Sequence, residues 1–127
     1  MTDRMNPSYD GRHVLADFHG CTARLDDIDL VERALTEAAS IAGATILDLK
    51  LHHFGEGEGV TGVALLAESH MSIHTWPEHD YAALDLFLCG ARHDIDGALD
   101  HLAKAFGPAD ITTRTIKRGY GVAALVD

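Results

Sequence analysis

"MSIHTWPEHDYAALDLFLC", residues 71–89, decides the architecture of this chain. Two runs rich in β-branched and aromatic residues, 71–76 and 81–89, flank Pro77-Glu78-His79-Asp80, a composition typical of turns. In the second run Leu84, Leu86 and Leu88 alternate with Asp85, Phe87 and Cys89, the period of two that a strand with one buried face requires. A connection this short cannot carry the crossover that parallel strands need, so the two strands pair antiparallel.

The flanking sequence extends the same pattern. "VTGVALLAE" (60–68) reads as another strand, reached from "ATILDLKLHHF" (44–54) through the flexible turn "GEGEG" (55–59). In 44–54, Leu47, Leu49 and Leu51 alternate with Asp48, Lys50 and His52, which assigns the three leucines to one buried face. "RHVLADF" (12–18) predicts a strand, and "DITTRTIK" and "GVAALV" predict closing strands at 110–117 and 121–126. Two segments carry the helical period instead. In 26–43, Ile28, Val31, Leu35, Ala38 and Ala42 share a face, Asp29 and Glu32 stand in capping-box register and Gly43 is a stop. In 94–108, Ile95, Ala98, Leu99, Leu102 and Phe106 point inward and Gly107-Pro108 ends the run. The expectation is a single α+β domain over residues 1–127: a two-layer sandwich of a mainly antiparallel sheet with both helices on one face. The other face carries mixed residues, suited to solvent or to a second subunit.

Composition narrows the function classes. A chain of 127 residues with 46% hydrophobic content suits one core. Ten lysines and arginines against 20 acids give a net charge of −10 and no basic cluster, which argues against nucleic acid as a partner. No apolar run reaches the roughly 18 residues that a membrane span needs, and the polar opening "MTDRMNPSYDGRH" lacks a signal-peptide core, so a cytoplasmic protein is expected. Cys21 and Cys89 are then expected to be free thiols rather than a disulfide framework.

Short motifs carry little by themselves. Gly57, Gly59 and Gly62 match G-x-G-x-x-G, but a strand follows where a helix must begin, and Glu56 and Glu58 would repel a phosphate. His70 and His74 have H-x-x-x-H spacing, yet they sit in strand-like sequence with no intervening HExxH glutamate. Together with His13, His19, His52 and His53 they are read as surface or core histidines, and no metal site is expected. Ser69 lacks the glycine-flanked elbow of a hydrolase nucleophile. Taken singly, Cys89 reads as a small buried hydrophobe and Trp76 as a packing residue.

As a block these residues say more. "GRHVLADFHGC", "GATILDLKLHHF" and above all "ESHMSIHTWPEHDYAALDLFLCG" (68–90) resemble the prokaryotic S-adenosylmethionine decarboxylase proenzymes, from about Gly11 to Gly90 and more weakly beyond. The resemblance implies self-cleavage between Glu68 and Ser69, leaving a β subunit of residues 1–68 and an α subunit of residues 69–127 capped by a pyruvoyl group made from Ser69. Serine suits this because its hydroxyl reaches the preceding carbonyl through a five-membered ring. By the same resemblance His74 transfers protons during processing and Thr61, where the family usually has serine, supports it. The pyruvoyl carbonyl takes the substrate amine as a Schiff base and acts as an electron sink. Cys89 returns a proton to the substrate, a task that suits a thiol, protonated at neutral pH yet able to give its proton up. Phe54 and Trp76 stand where rings lie against the nucleoside, and Glu78 where an acid binds the ribose hydroxyls.

The implied activity is decarboxylation of S-adenosylmethionine to the aminopropyl donor of polyamine synthesis, by a homodimer that pairs through its sheets and builds each site from both chains. Two alternatives stay open: a relative that decarboxylates ornithine or arginine, and a non-catalytic binding module. The 54–61 loop within "HHFGEGEGVTG" (52–62), one residue longer and more acidic than usual, and His79-Asp80 in place of an aromatic-glycine pair, bear on substrate choice.

Overall fold

A computed structural model describes residues 9–121. Strands β1 (Tyr9–His19), β2 (Ile46–His53), β3 (Val60–Leu66), β4 (Ser69–Trp76), β5 (Tyr81–Cys89) and β6 (Asp110–Tyr120) form one sheet in the order β2-β3-β4-β5-β1-β6. Every pairing in it is antiparallel. Helices α1 (Ile28–Ala42) and α2 (Ile95–Phe106) pack against each other and cover one face, so the two-layer α+β sandwich is the architecture found.

The quoted hairpin sets the frame. Trp76 pairs with Tyr81 across the turn Pro77–His79, which puts Met71, Ile73, Ala82, Leu84, Leu86 and Leu88 under the helices, where all are buried. Thr75 is buried on the same face with its hydroxyl satisfied, donating to the Leu25 carbonyl at 2.7 Å and accepting from the Val60 amide at 2.8 Å. Because β1 lies between β5 and β6 and opposes both, β5 and β6 run parallel, and α2 supplies the crossover between them.

The structure revises four sequence expectations. Helix α1 is capped by Asp27, whose carboxylate accepts from the Asp29 and Leu30 amides at 3.1 and 3.2 Å, so the Asp29–Glu32 register is internal to the helix and forms no capping box. Gly43 does end it, in the left-handed conformation. In β2 a bulge between Ile46 and Asp48 shifts the alternation: Ile46, Leu49 and Leu51 pack on the core, while Leu47 is turned out and 62% exposed. The strand read through Glu68 stops at Leu66, and Ala67-Glu68 is a two-residue hairpin loop into β4. Finally, the closing strand runs on to Tyr120, and a further strand at 121–126 lies outside the described residues except Gly121.

Cys21 and Cys89 are free and buried. Cys21 lies two residues beyond the end of β1, whereas Cys89 pairs with Gly11 near its start, so the length of the strand separates them. Among the described residues no helix is long and apolar enough to cross a membrane.

Candidate active site

The open face of the sheet gathers the polar side chains. Cys89 shares it with Tyr81, Asp85 and Phe87, as strand parity requires, and through the β1 register with Gly11 and His13. Thr61 on β3 and His74 on β4 are register partners on this same face. Ser69 is different: it is 8% exposed, in phase with Met71 and Ile73 of the covered side.

These residues do not form one cluster. Ser69 and His74 are five residues apart on β4, a separation of about 16 Å at roughly 3.3 Å per residue. One group forms at the Ser69 end and another at the Trp76 end of the strand.

At the Ser69 end the chain makes its tight turn. Glu68 has φ +63°, a left-handed conformation that costs a non-glycine residue about 1 kcal/mol. The Ser69 hydroxyl donates to the Ala67 carbonyl at 3.4 Å, a long and weak bond. The Tyr9 hydroxyl donates to the Glu68 carbonyl at 3.2 Å, and the Arg92 guanidinium lies 3.8 Å from the Glu68 carboxylate. Hydrogen bonding to the Cys89 sulfur, its charge, and Glu68 hold Arg92 above its usual basicity. His93 accepts from the Cys89 amide through Nδ1 at 3.1 Å, and burial followed by the charge of Arg92 pushes its pKa down.

At the other end Phe54, Thr61, His74, Trp76 and Glu78 line a shallow hollow. The Thr61 hydroxyl lies 3.1 Å from His74 Nδ1. The Trp76 indole stacks on Tyr81 at 5.1 Å, and Tyr81 donates to Asp17 at 2.5 Å, a bond that, with burial, lifts its pKa to about 12. Phe54 is 62% exposed at the hollow's rim. The 55–59 segment is a hairpin turn closed by the Phe54 amide on the Gly59 carbonyl at 3.0 Å, with Gly62 already in β3, so it opens no helix.

Between the two ends lies a network that sequence reading missed. Asp85 accepts from His13 Nε2 at 2.6 Å and His70 Nε2 at 2.9 Å on one oxygen and from the Ser72 hydroxyl on the other. Arg118 stacks on Phe87 at 4.9 Å and lies 3.3 Å from His13 Nδ1. Burial pushes the Asp85 carboxyl up, but these donors together hold it below the usual carboxylate range. The ligand-type atoms of His13, His70 and Asp85 lie within 4.8 Å of one another, and the hydrogen bonds account for that convergence. His74 is not among them. The sequence signal was parity, since Asp85 interrupts a leucine strand; that His13, opposite Phe87, stands two residues along from Leu15, the partner of Asp85, appears only in the strand register.

Comparison with known proteins places the chain in a family. A family model described as S-adenosylmethionine decarboxylase matches residues 12–119. The chain belongs to the S-adenosylmethionine decarboxylase family. It is 44% identical over 110 residues to the S-adenosylmethionine decarboxylase proenzyme of Acidithiobacillus ferrooxidans, covering 86% of this chain and 82% of that one. To the proenzyme of Moorella thermoacetica it is 46% identical over 110 residues, covering 86% and 87%. The crystal structure of the adenosylmethionine decarboxylase from Aquifex aeolicus superposes with a TM-score of 0.79 at 34% identity, over 90% of this chain and 94% of that one.

Proposed function

We propose that this chain is a self-processing, pyruvoyl-dependent decarboxylase of S-adenosylmethionine, supplying the aminopropyl donor for polyamine synthesis in the cytoplasm. The observation that carries the reading is the division of the expected site residues between the two ends of strand β4, most of them on the open face and Ser69 in phase with the covered one. Ser69, Cys89 and the strained Glu68 occupy one end, while Thr61, His74, Trp76 and Glu78 occupy the other. A two-fold axis lying between two such faces and across the strands reverses strand direction, so the Ser69 end of one protomer meets the His74 end of the second. Leu15, Val63, Leu65 and Ile116 stand 40 to 50% exposed on that face and would be covered by the pairing.

The residues present fit a pyruvoyl group made from Ser69. The preceding peptide is held in a turn with positive φ, the serine hydroxyl has only a weak partner, and Cys89 ends the adjacent strand. When formed, the group supplies a carbonyl that accepts the substrate amine and draws off the electrons left by departing carbon dioxide. Cys89 would hold the proton that the substrate α-carbon takes up. His74, oriented by the Thr61 hydroxyl, would move protons during cleavage. Thr61 keeps the required hydroxyl and adds a methyl group that stiffens its rotamer. Phe54 and Trp76 would flank the adenine, and Glu78 would accept from the ribose hydroxyls. A nucleoside cradle of this kind has no use for ornithine or arginine, which favours S-adenosylmethionine.

Intact mass under denaturing conditions tests the reading first. Two fragments split between Glu68 and Ser69, the second with a blocked terminus that reacts with carbonyl reagents, are expected, together with carbon dioxide release from S-adenosylmethionine and not from ornithine or arginine. A single unreactive 13.7 kDa chain with no decarboxylation would mean a binding module instead.

A further inference from the structure

We propose that the Tyr9 hydroxyl is an oxyanion donor for the self-cleavage, a catalytic role at the Glu68 carbonyl. The inference rests on the reading of Glu68–Ser69 as the bond that is cut.

The geometry is specific to where Tyr9 starts β1. Its ring lies over Gly11, where a Cβ would come within 2.7 Å of Tyr9 Cε2 and 2.8 Å of Phe87 Cε1, so the missing side chain is what lets the ring lie there. Phe87 meets the ring edge-on at 6.2 Å between centroids and Tyr120 stacks on it at 6.1 Å, which fixes its direction. So braced, the hydroxyl reaches across 59 positions of sequence to the Glu68 carbonyl oxygen at 3.2 Å. The Arg92 guanidinium lies 3.8 Å from the Glu68 carboxylate, and Glu68 itself adopts a positive φ in the tight turn.

The step this serves is an acyl shift that balances within the chain. Ser69 Oγ bonds to the Glu68 carbonyl carbon and the π pair moves to the carbonyl oxygen, where the Tyr9 O–H meets the growing negative charge. The hydroxyl proton passes to the Ser69 nitrogen as the C–N bond breaks, the oxygen's pair returns, and an amide has become an ester. Burial first, then the negative potentials of Cys89 and Glu68, raise the Tyr9 pKa, so the phenol stays protonated as a donor.

The test is the cleavage rate of freshly synthesised full-length chain, read by denaturing intact mass against time. Tyr9→Phe keeps the ring and its stacking and is expected to slow cleavage about 100-fold. Hydroxylamine, which cuts esters and spares amides, should release little from the uncut Tyr9→Phe chain, because the ester forms too slowly to build up. Cleavage of Tyr9→Phe at the wild-type rate would overturn the proposal. If that variant fails to fold, 3-fluorotyrosine at position 9 decides: a more acidic phenol should speed cleavage and make it fall off at lower pH. An unchanged rate and pH profile would show a structural role only. A wild-type chain that is not cut between Glu68 and Ser69 sinks the underlying reading, whereas a cut wild type with an unaffected Tyr9→Phe sinks this inference alone.

Discussion

Strand β5 hands alternate residues to two surfaces that behave as different materials: Ala82, Leu84, Leu86 and Leu88 are sealed beneath the helices, while Tyr81, Asp85, Phe87 and Cys89 look out from the open side. The covered face is complete within one protomer, closed by Phe18, Leu35 and Phe106. The open face is neither plain solvent surface nor core. It pairs exposed aliphatic side chains with a histidine–aspartate network, and it sets the two halves of the proposed site a strand's length apart. The contrast teaches that packing is concentrated on one side of the strands and most of the polar side chains on the other, with Ser69, in phase with the core, as the exception.

The strongest consequence is all-or-none. Ser69→Ala and His74→Ala proteins made separately should each be inactive. Co-expressed, they should recover activity, because a mixed dimer holds one site with an intact Ser69 from one chain and an intact His74 from the other. With random pairing about a quarter of the wild-type sites return. Decarboxylation assays on the co-expressed pair read this directly. No recovery, with dimers verified by sedimentation, would place both residues in one chain and defeat the two-end arrangement.

On the covered face the currency is volume. Phe106 closes α2 against Phe18 with ring centroids 6.5 Å apart and is fully buried. Phe106→Ala should destabilise the fold by about 3–5 kcal/mol, seen as an earlier midpoint in urea, with no specific effect on cleavage in the fraction that remains folded. A loss below about 1 kcal/mol would mean that the helices collapse into the space and that this face is more plastic than its packing implies.

The fold was legible wherever period carried it. Leu84, Leu86 and Leu88 alternate without interruption, and the structure buries all three. Leu47 went astray because a bulge has no sequence signature in a run of leucines and polar residues, and because one extra residue inverts every later face. The Ala67-Glu68 turn was hidden for another reason: it uses no glycine, asparagine or proline, and a glutamate with positive φ is a choice that turn preferences do not anticipate. The expected site residues came from a resembling block, but that block did not show that the structure sets them at two ends of β4. The contacts of Tyr9, Asp85 and Arg92 were missed because they span 59, 72 and 24 positions of chain, which only register reveals.

The smaller effect lies in the network at the centre of the open face, where charge replaces volume. Asp85 takes donors from His13 and His70 on one oxygen and from Ser72 on the other. Asp85→Asn keeps the shape, replaces one acceptor oxygen by an amide NH2 that can donate to the Ser72 hydroxyl, and removes the negative charge that the His13 and His70 donors meet, a cost of about 1–3 kcal/mol at neutral pH. Because the folded carboxyl is held below its unfolded pKa of about 3.9, its contribution is fully present above that value and is lost as pH falls through the lower, folded one. Urea unfolding of both proteins from pH 7 to pH 3 should therefore show a stability gap that is largest towards neutral pH and narrows as pH falls below about 4. A gap that does not narrow at all between about pH 4 and pH 3 would mean that Asp85 matters through its shape alone, and the open face would then obey the same packing rule as the covered one.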